Sequence, residues 1–254
     1  MTVASGFDRG LWDGYAPFFA HEEDEVYPRD RAEESFWANL RMQRPGPCLE
    51  LGAGHGRLAP ILARRGPLVA LEPSGEMLRM WSDRALDGAL GVVRALAENA
   101  PFRRRVFDLV VFPYNGYHCI LDRGARLQTL HESARVLAGE GLYCMEVSPF
   151  LAARPEEKNA VRYDRTASGG AKLVEDVSQD LESDQVVFGM RYSWPDGSGS
   201  FLELRLARLS ADQVLEEVME AGLEPLEMWG DYHRSPWEQD SPRLLLLARG
   251  SDAV

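Results

Sequence analysis

Apolar positions concentrate in short runs at 47–52, 68–72, 92–95, 107–112 and 142–147. The segments between them carry apolar residues at helical spacing. Short runs bounded by Gly, Pro or charged residues read as buried strands, and recurrence at i, i+3 and i+4 reads as one face of a helix. The pattern predicts a helix over 56–65, with Pro60 tolerated in its first turn. Ser74 caps a second helix that places Met77, Leu78 and Trp81 on one face. A third, over 124–137, turns Leu127, Leu130, Ala134 and Leu137 inward and is stopped by Gly139 and Gly141. Ahead of the first strand, Ala32, Phe36, Trp37 and Leu40 mark an amphipathic helix over 29–44, ended by Pro45-Gly46-Pro47. Strands alternating with helices specify an α/β fold, doubly wound, with a mostly parallel sheet.

The period changes after Ser148. Val186, Phe188, Met190 and Tyr192 alternate, as do Leu202, Leu204 and Leu206, around a Pro195-Asp196-Gly197 turn. That is a small antiparallel β insertion, placed over 155–208 and expected to cap a substrate or touch a second subunit. Ser210 and Gln213 then form a capping box, and Gly222 is the C-terminal stop. The last strands, 223–229 and 243–249, are joined by a loop too short for a crossover helix, so they pair antiparallel. The division is a helical or lid segment over 1–46, a core from 47–150 and 209–254, and the insertion.

Charge narrows the partners. Asp and Glu number 40 against 28 Lys and Arg, a formal charge of −12, and no basic stripe with interleaved aromatics is present. A nucleic-acid partner is not expected. The apolar runs are too short for a bilayer, and MTVASGFDRG lacks the apolar stretch of a signal peptide, so the expectation is a cytoplasmic protein, monomer or homodimer. Cys48, Cys119 and Cys144 show no disulfide framework and no zinc spacing, so reduced thiols and no metal are expected.

The chemistry-bearing stretch is Glu50-Leu51-Gly52-Ala53-Gly54-His55-Gly56, at the end of the first strand, with Glu72 closing the second. Glycines let the backbone turn sharply and let a ligand lie against it. An acid at that strand end is placed to accept hydrogen bonds from ribose hydroxyls. The third glycine of the dinucleotide fingerprint is replaced by Arg57, which counts against a nicotinamide cofactor. Glu50 followed by three alternating glycines resembles the first motif of class I S-adenosylmethionine-dependent methyltransferases.

The resemblance runs over roughly 27–249. Glu72-Pro73-Ser74-Gly75-Glu76-Met77 is similar to the family's second signature, and Ala97-Glu98 to its adenine-bordering segment. Phe112-Pro113-Tyr114-Asn115 is similar to its fourth-strand motif. The resemblance implies a seven-stranded sheet with a reversed last strand and S-adenosyl-L-methionine as cofactor. Carried over position by position, the contacts are Glu50, Gly52, Ala53, Gly54 and Gly56, then Glu72, Pro73 and Met77, then Ala97 and Glu98. Phe112, Pro113 and Asn115 complete them, with Tyr27 a contact or a packing residue. The implied reaction is methyl transfer to a nitrogen or oxygen of a small molecule, a natural-product or amino-sugar acceptor. A catalytically silent cofactor-binding partner subunit of the same fold is the alternative. Leu96, His55 and His233-Arg234 depart from the family pattern. His118 is either a general base or a polar contact holding the loop, and Tyr117 and Tyr114 are the other catalytic candidates. A sulfonium is already activated, so alignment of acceptor, methyl and sulfur is most of the task.

Overall fold

The structure is a computed structural model that describes residues 12–14, 30–83, 90–149, 160–166, 172–179 and 184–251. Tyr15 and Tyr27 lie outside the described residues. Helix α1 (Arg31–Gln43) starts where the Asp30 side chain accepts from the Ala32 amide at 2.8 Å. It buries Phe36, Trp37, Leu40 and, unusually, Arg41. The Arg41 guanidinium donates to the carbonyls of Leu62 (2.8 Å), Pro67 (3.2 Å) and Arg44, so its charge is solvated by backbone and pins α1 to the loops beneath it.

Next come β1 (Cys48–Leu51), α2 (Ala59–Leu62), β2 (Leu68–Leu71), α3 (Gly75–Arg79), β3 (Leu90–Val93), β4 (Phe107–Phe112), α4 (Arg123–Val136) and β5 (Leu137–Val147). The insertion supplies β6 (Ala160–Thr166), β7 (Lys172–Gln179), β8 (Gln185–Ser193) and β9 (Gly199–Ala207). The chain ends with α5 (Ala211–Glu220), β10 (Leu223–Trp229) and β11 (Leu244–Gly250). The main sheet has seven strands in the order β10-β11-β5-β4-β1-β2-β3. Strands β1 to β5 run parallel, whereas β11 is antiparallel to both neighbours. The order reverses between β4 and β1, which opens a crevice beyond the carboxyl ends of those strands.

Both faces of the sheet are covered, which is why its strands read as continuous apolar runs. Val110 and Phe112 point to one side with Leu49, Met145 and Leu246, under α4 and α5. Leu109 and Val111 point to the other with Cys48, Cys144 and Leu245, under Phe36, Trp37 and Leu40 of α1. Among the described residues, no helix is long and apolar enough to cross a membrane.

Three boundaries and one strand count differ from the sequence reading. Strand β5 leaves α4 directly at Leu137, with a register break against β4 between Phe107 and Leu109. Gly139 and Gly141 therefore lie inside a strand. A Cβ on Gly141 would sit 2.9 Å from the Phe107 carbonyl, so glycine there serves a close backbone approach instead of a helix stop. The 56–65 helix shrinks to α2 plus a 3₁₀ turn (Ala63–Arg65), and the preceding loop takes up the difference. Strand β3 lies two residues earlier than 92–95. The insertion is a four-stranded antiparallel sheet, β6-β7-β8-β9, larger than the hairpin its alternation reveals.

Candidate active site

The loop after β1 lies at the crevice. Gly52, Gly54 and Gly56 have φ of 60°, 55° and 85°, the left-handed region that favours glycine. A Cβ on Gly56 would come within 2.8 Å of the Trp81 ring, whose Nε1–H donates to the Gly54 carbonyl at 2.7 Å. The loop is thus held from behind by one indole. From the side it is held by Glu72, which follows β2. Glu72 Oε2 accepts from the Gly54 amide at 2.9 Å, and Oε1 accepts from the Ser74 amide at 2.8 Å. The carboxyl is 6 % exposed. Burial pushes its pKa up to about 7 against the pull of those two N–H bonds, and the nearby Asp13 charge adds to the rise. A carboxylate oxygen can accept more than one hydrogen bond, so both Glu72 oxygens keep capacity for a diol.

Asp13 is a residue the sequence reading missed. Its carboxylate accepts from Ser74 Oγ (2.6 Å) and from the Glu76 amide (3.3 Å) at the start of α3, and the Ser74 bond lowers its pKa. An isolated acid in the N-terminal stretch gives no local signal of such a contact.

Glu50, 2 % exposed, and Ala53 lie buried at the base of the loop. Met77 is buried on α3, with Pro73 half-buried before it. Ala97 and Glu98 form a 3₁₀ turn after β3, half-buried, and burial raises the Glu98 pKa. Phe112 sits within the core beneath the loop, close enough that Cβ atoms on Gly52 and Gly116 would meet its ring at 3.2 and 2.3 Å. It shapes the floor of the crevice by packing. Pro113 is buried as well.

Tyr114 and Asn115 turn the chain after β4, both with positive φ (52° and 58°). The Tyr114 ring is 37 % exposed, and the Arg57 guanidinium lies 5.0 Å from its centroid. Arg57 makes a two-pronged pair with Glu33 of α1, at 2.6 and 2.7 Å. Glu146, near the end of β5, accepts from the Tyr114 amide (3.1 Å), the Tyr232 hydroxyl (2.8 Å) and Arg243 Nη1 (2.7 Å). Burial raises the Glu146 pKa while Arg243 opposes it. These residues come from positions scattered along the chain, so no spacing announces them.

Two of the catalytic candidates are enclosed. His118 is 0 % exposed, and backbone occupies both ring nitrogens. Ser148 N–H donates to Nε2 at 3.2 Å, which leaves the proton on Nδ1 to donate to the Ala207 carbonyl at 2.7 Å. Burial pushes its pKa down to about 4, so the ring is neutral but has no free nitrogen for an acceptor proton. It ties the 116–119 turn to the ends of β5 and β9. Tyr117 is equally enclosed, its hydroxyl donating to Glu217, which Arg126 clamps at 2.9 and 3.0 Å. Desolvation raises the Tyr117 pKa, so it stays a phenol. Of the three, Tyr114 alone borders open space.

Residues 48–141 match a protein-family model described as a methyltransferase domain. Its fold is similar to those of solved methyltransferase structures. The CcbJ methyltransferase from Streptomyces caelestis is 17 % identical with a TM-score of 0.79, over 96 % of this chain and 100 % of that one. CalS10 from Micromonospora echinaspora, an amino pentose methyltransferase solved with S-adenosylmethionine bound, is 15 % identical with a TM-score of 0.71, over 93 % and 96 %. The sugar N-methyltransferase KedS8 from Streptoalloteichus sp. ATCC 53650 is 20 % identical with a TM-score of 0.69, over 92 % of each chain. No curated protein sequence matches.

S-adenosylmethionine is the ligand bound in the CalS10 structure, and the residues around the glycine loop fit it. The loop offers glycine backbone where a side chain would collide, and Glu72 presents anchored acceptors beside it. Among the described residues, no His, Cys, Asp or Glu group is arranged to hold a metal ion.

Proposed function

We propose that the protein transfers the methyl group of S-adenosylmethionine to a nucleophilic atom of a small molecule. We take the acceptor to be an amino sugar or related natural product and the atom to be nitrogen. The observation that carries this is the pairing of the left-handed glycine loop with a buried, doubly anchored Glu72. Two structural neighbours are an amino pentose methyltransferase and a sugar N-methyltransferase, which supports the acceptor class.

The cofactor supplies a methyl already activated as a sulfonium. The chain's part is to bind and align. Glu72 and the Gly52–Gly56 backbone hold the nucleoside end, and the Tyr114 turn borders the reacting end. Positive charge on sulfur fades as the methyl leaves, so a lone carboxylate there would favour the ground state. Here Arg57 is balanced by Glu33 and Glu146 by Arg243, which leaves that rim close to neutral. With His118 enclosed, an amine that binds neutral is the acceptor needing least help, since it attacks first and sheds its proton to water afterwards. We assign 47–150 and 209–254 to the cofactor-binding core and 155–208 to covering the acceptor side.

The test is transfer of radiolabelled methyl from S-adenosylmethionine to a panel of amino sugars, simple amines and phenols. Label on an amine is the expected result. Label confined to phenols would overturn the choice of nitrogen, and cofactor binding with no label on any acceptor would favour a silent subunit.

A further inference from the structure

Two consecutive residues other than glycine adopt the left-handed region after β4, Tyr114 and Asn115. Such backbone is strained for L-residues and persists only where the surroundings over-determine it. Glycine at either position would make the same turn without strain. The turn is held by one residue twice. Glu146 takes the Tyr114 amide on its side-chain Oε2 (3.1 Å) and the Asn115 amide on its own carbonyl (3.2 Å). The carboxylate is 2 % exposed and is fixed from its far side by Tyr232 and Arg243, with the Arg243 guanidinium stacked 4.1 Å over the Tyr232 ring. What this buried assembly holds in place is a partly exposed aromatic ring at the rim of the glycine loop, capped by Arg57.

We propose that Glu146 is a positioning residue for methyl transfer, holding the Tyr114–Asn115 turn so that the Tyr114 side chain faces the acceptor. Tyr232 and Arg243, carried by the reversed end of the sheet, act through Glu146 by fixing its carboxylate. The inference rests on the methyl-transfer reading above. The rival role is a buried ion pair that only fastens β5 to β11.

Glu146→Gln separates the two. The amide has one accepting oxygen and one NH₂ group. With the oxygen toward Tyr232 and Arg243, the NH₂ meets the Tyr114 N–H donor to donor. In the opposite orientation it meets Arg243. Either way the volume is kept and the clamp is broken. Hydrogen exchange at the Tyr114 and Asn115 amides is measured in the protein alone and saturated with S-adenosylhomocysteine, together with turnover on the best amine of the panel. The expected result is exchange about tenfold faster at those two amides, the effect of one lost hydrogen bond. Turnover should fall about ten- to a hundredfold, as displacement of a positioning group produces, with S-adenosylhomocysteine affinity unchanged.

Tyr232→Phe keeps the carboxylate and removes one of its donors. It should give a smaller loss of turnover in the same direction, and it carries the test if Glu146→Gln does not fold. Unchanged exchange at Tyr114 and Asn115 would overturn the proposal. So would cofactor affinity and turnover falling in parallel with Tm. Failure of the wild-type protein to bind S-adenosylhomocysteine would sink the methyl-transfer reading instead, a separate and recognisable outcome.

Discussion

At the scale of single residues, burial sets the behaviour of Glu72 and His118. Glu72→Gln should weaken S-adenosylhomocysteine binding about tenfold to a few hundredfold, since a hydrogen bond to a charged group is worth about 1.5–3 kcal/mol. Its pKa near 7 adds a pH signature. Ribose hydroxyls donate, so they favour the ionised carboxyl, and affinity should strengthen from about pH 6 to about pH 8. Titration calorimetry at both values checks this, and the slope should vanish in Glu72→Gln. For folding the sign is reversed. A carboxyl raised above its ordinary value of 4.5 binds more protons folded than unfolded, so its contribution to stability declines as pH rises through the window up to about 7. His118→Ala should cost stability, because it strands the Ser148 amide and the Ala207 carbonyl, at about 1–3 kcal/mol for each group left unpaired. Urea denaturation measures it, and the cofactor affinity of the folded variant should stay near wild type. The glycines and Glu72 were legible because their spacing is local. The enclosure of His118 was not, because its two partners arrive from positions 148 and 207.

At the scale of elements, legibility follows the same line between local and distant causes. The Ser210–Gln213 capping box forms in both directions, at 3.2 and 2.8 Å, because everything it needs lies within one turn. Ser210→Ala should cost about 1 kcal/mol by chemical denaturation and leave cofactor affinity alone. The β8–β9 hairpin was readable from its alternation, and β4 (Phe107–Phe112) was readable as a buried run between polar residues. The start of β5 was hidden. Its glycines carry the signature of a helix stop, and only the approach of the Phe107 backbone shows why they belong to a strand. The short α2 was hidden too, since Leu58, Ile61 and Leu62 have helical spacing although the α-helix itself covers only Ala59–Leu62, with Pro60 in its first turn. Strands β6 and β7 lack the sharp alternation that marked their partners, so the insertion was legible as antiparallel over 155–208 but only two of its four strands stood out.

At the scale of the whole molecule, sheet order does the positioning. Reversal between β4 and β1 brings the glycine loop, the Tyr114 turn and the end of β5 to one crevice. The antiparallel β11 delivers Arg243 to that same end. The hairpin of β10 and β11 was legible from its short connection. The Glu33–Arg57 and Glu146–Tyr232–Arg243 groupings were not, because each exists only once the sheet is assembled. The central claim is that this crevice holds S-adenosylmethionine through the glycine loop and Glu72. Its most direct test is calorimetric titration of the wild-type protein with S-adenosylhomocysteine and, separately, with a nicotinamide dinucleotide. Saturable one-site binding of the first and none of the second is the expected result. Binding of the dinucleotide with no response to S-adenosylhomocysteine would contradict it.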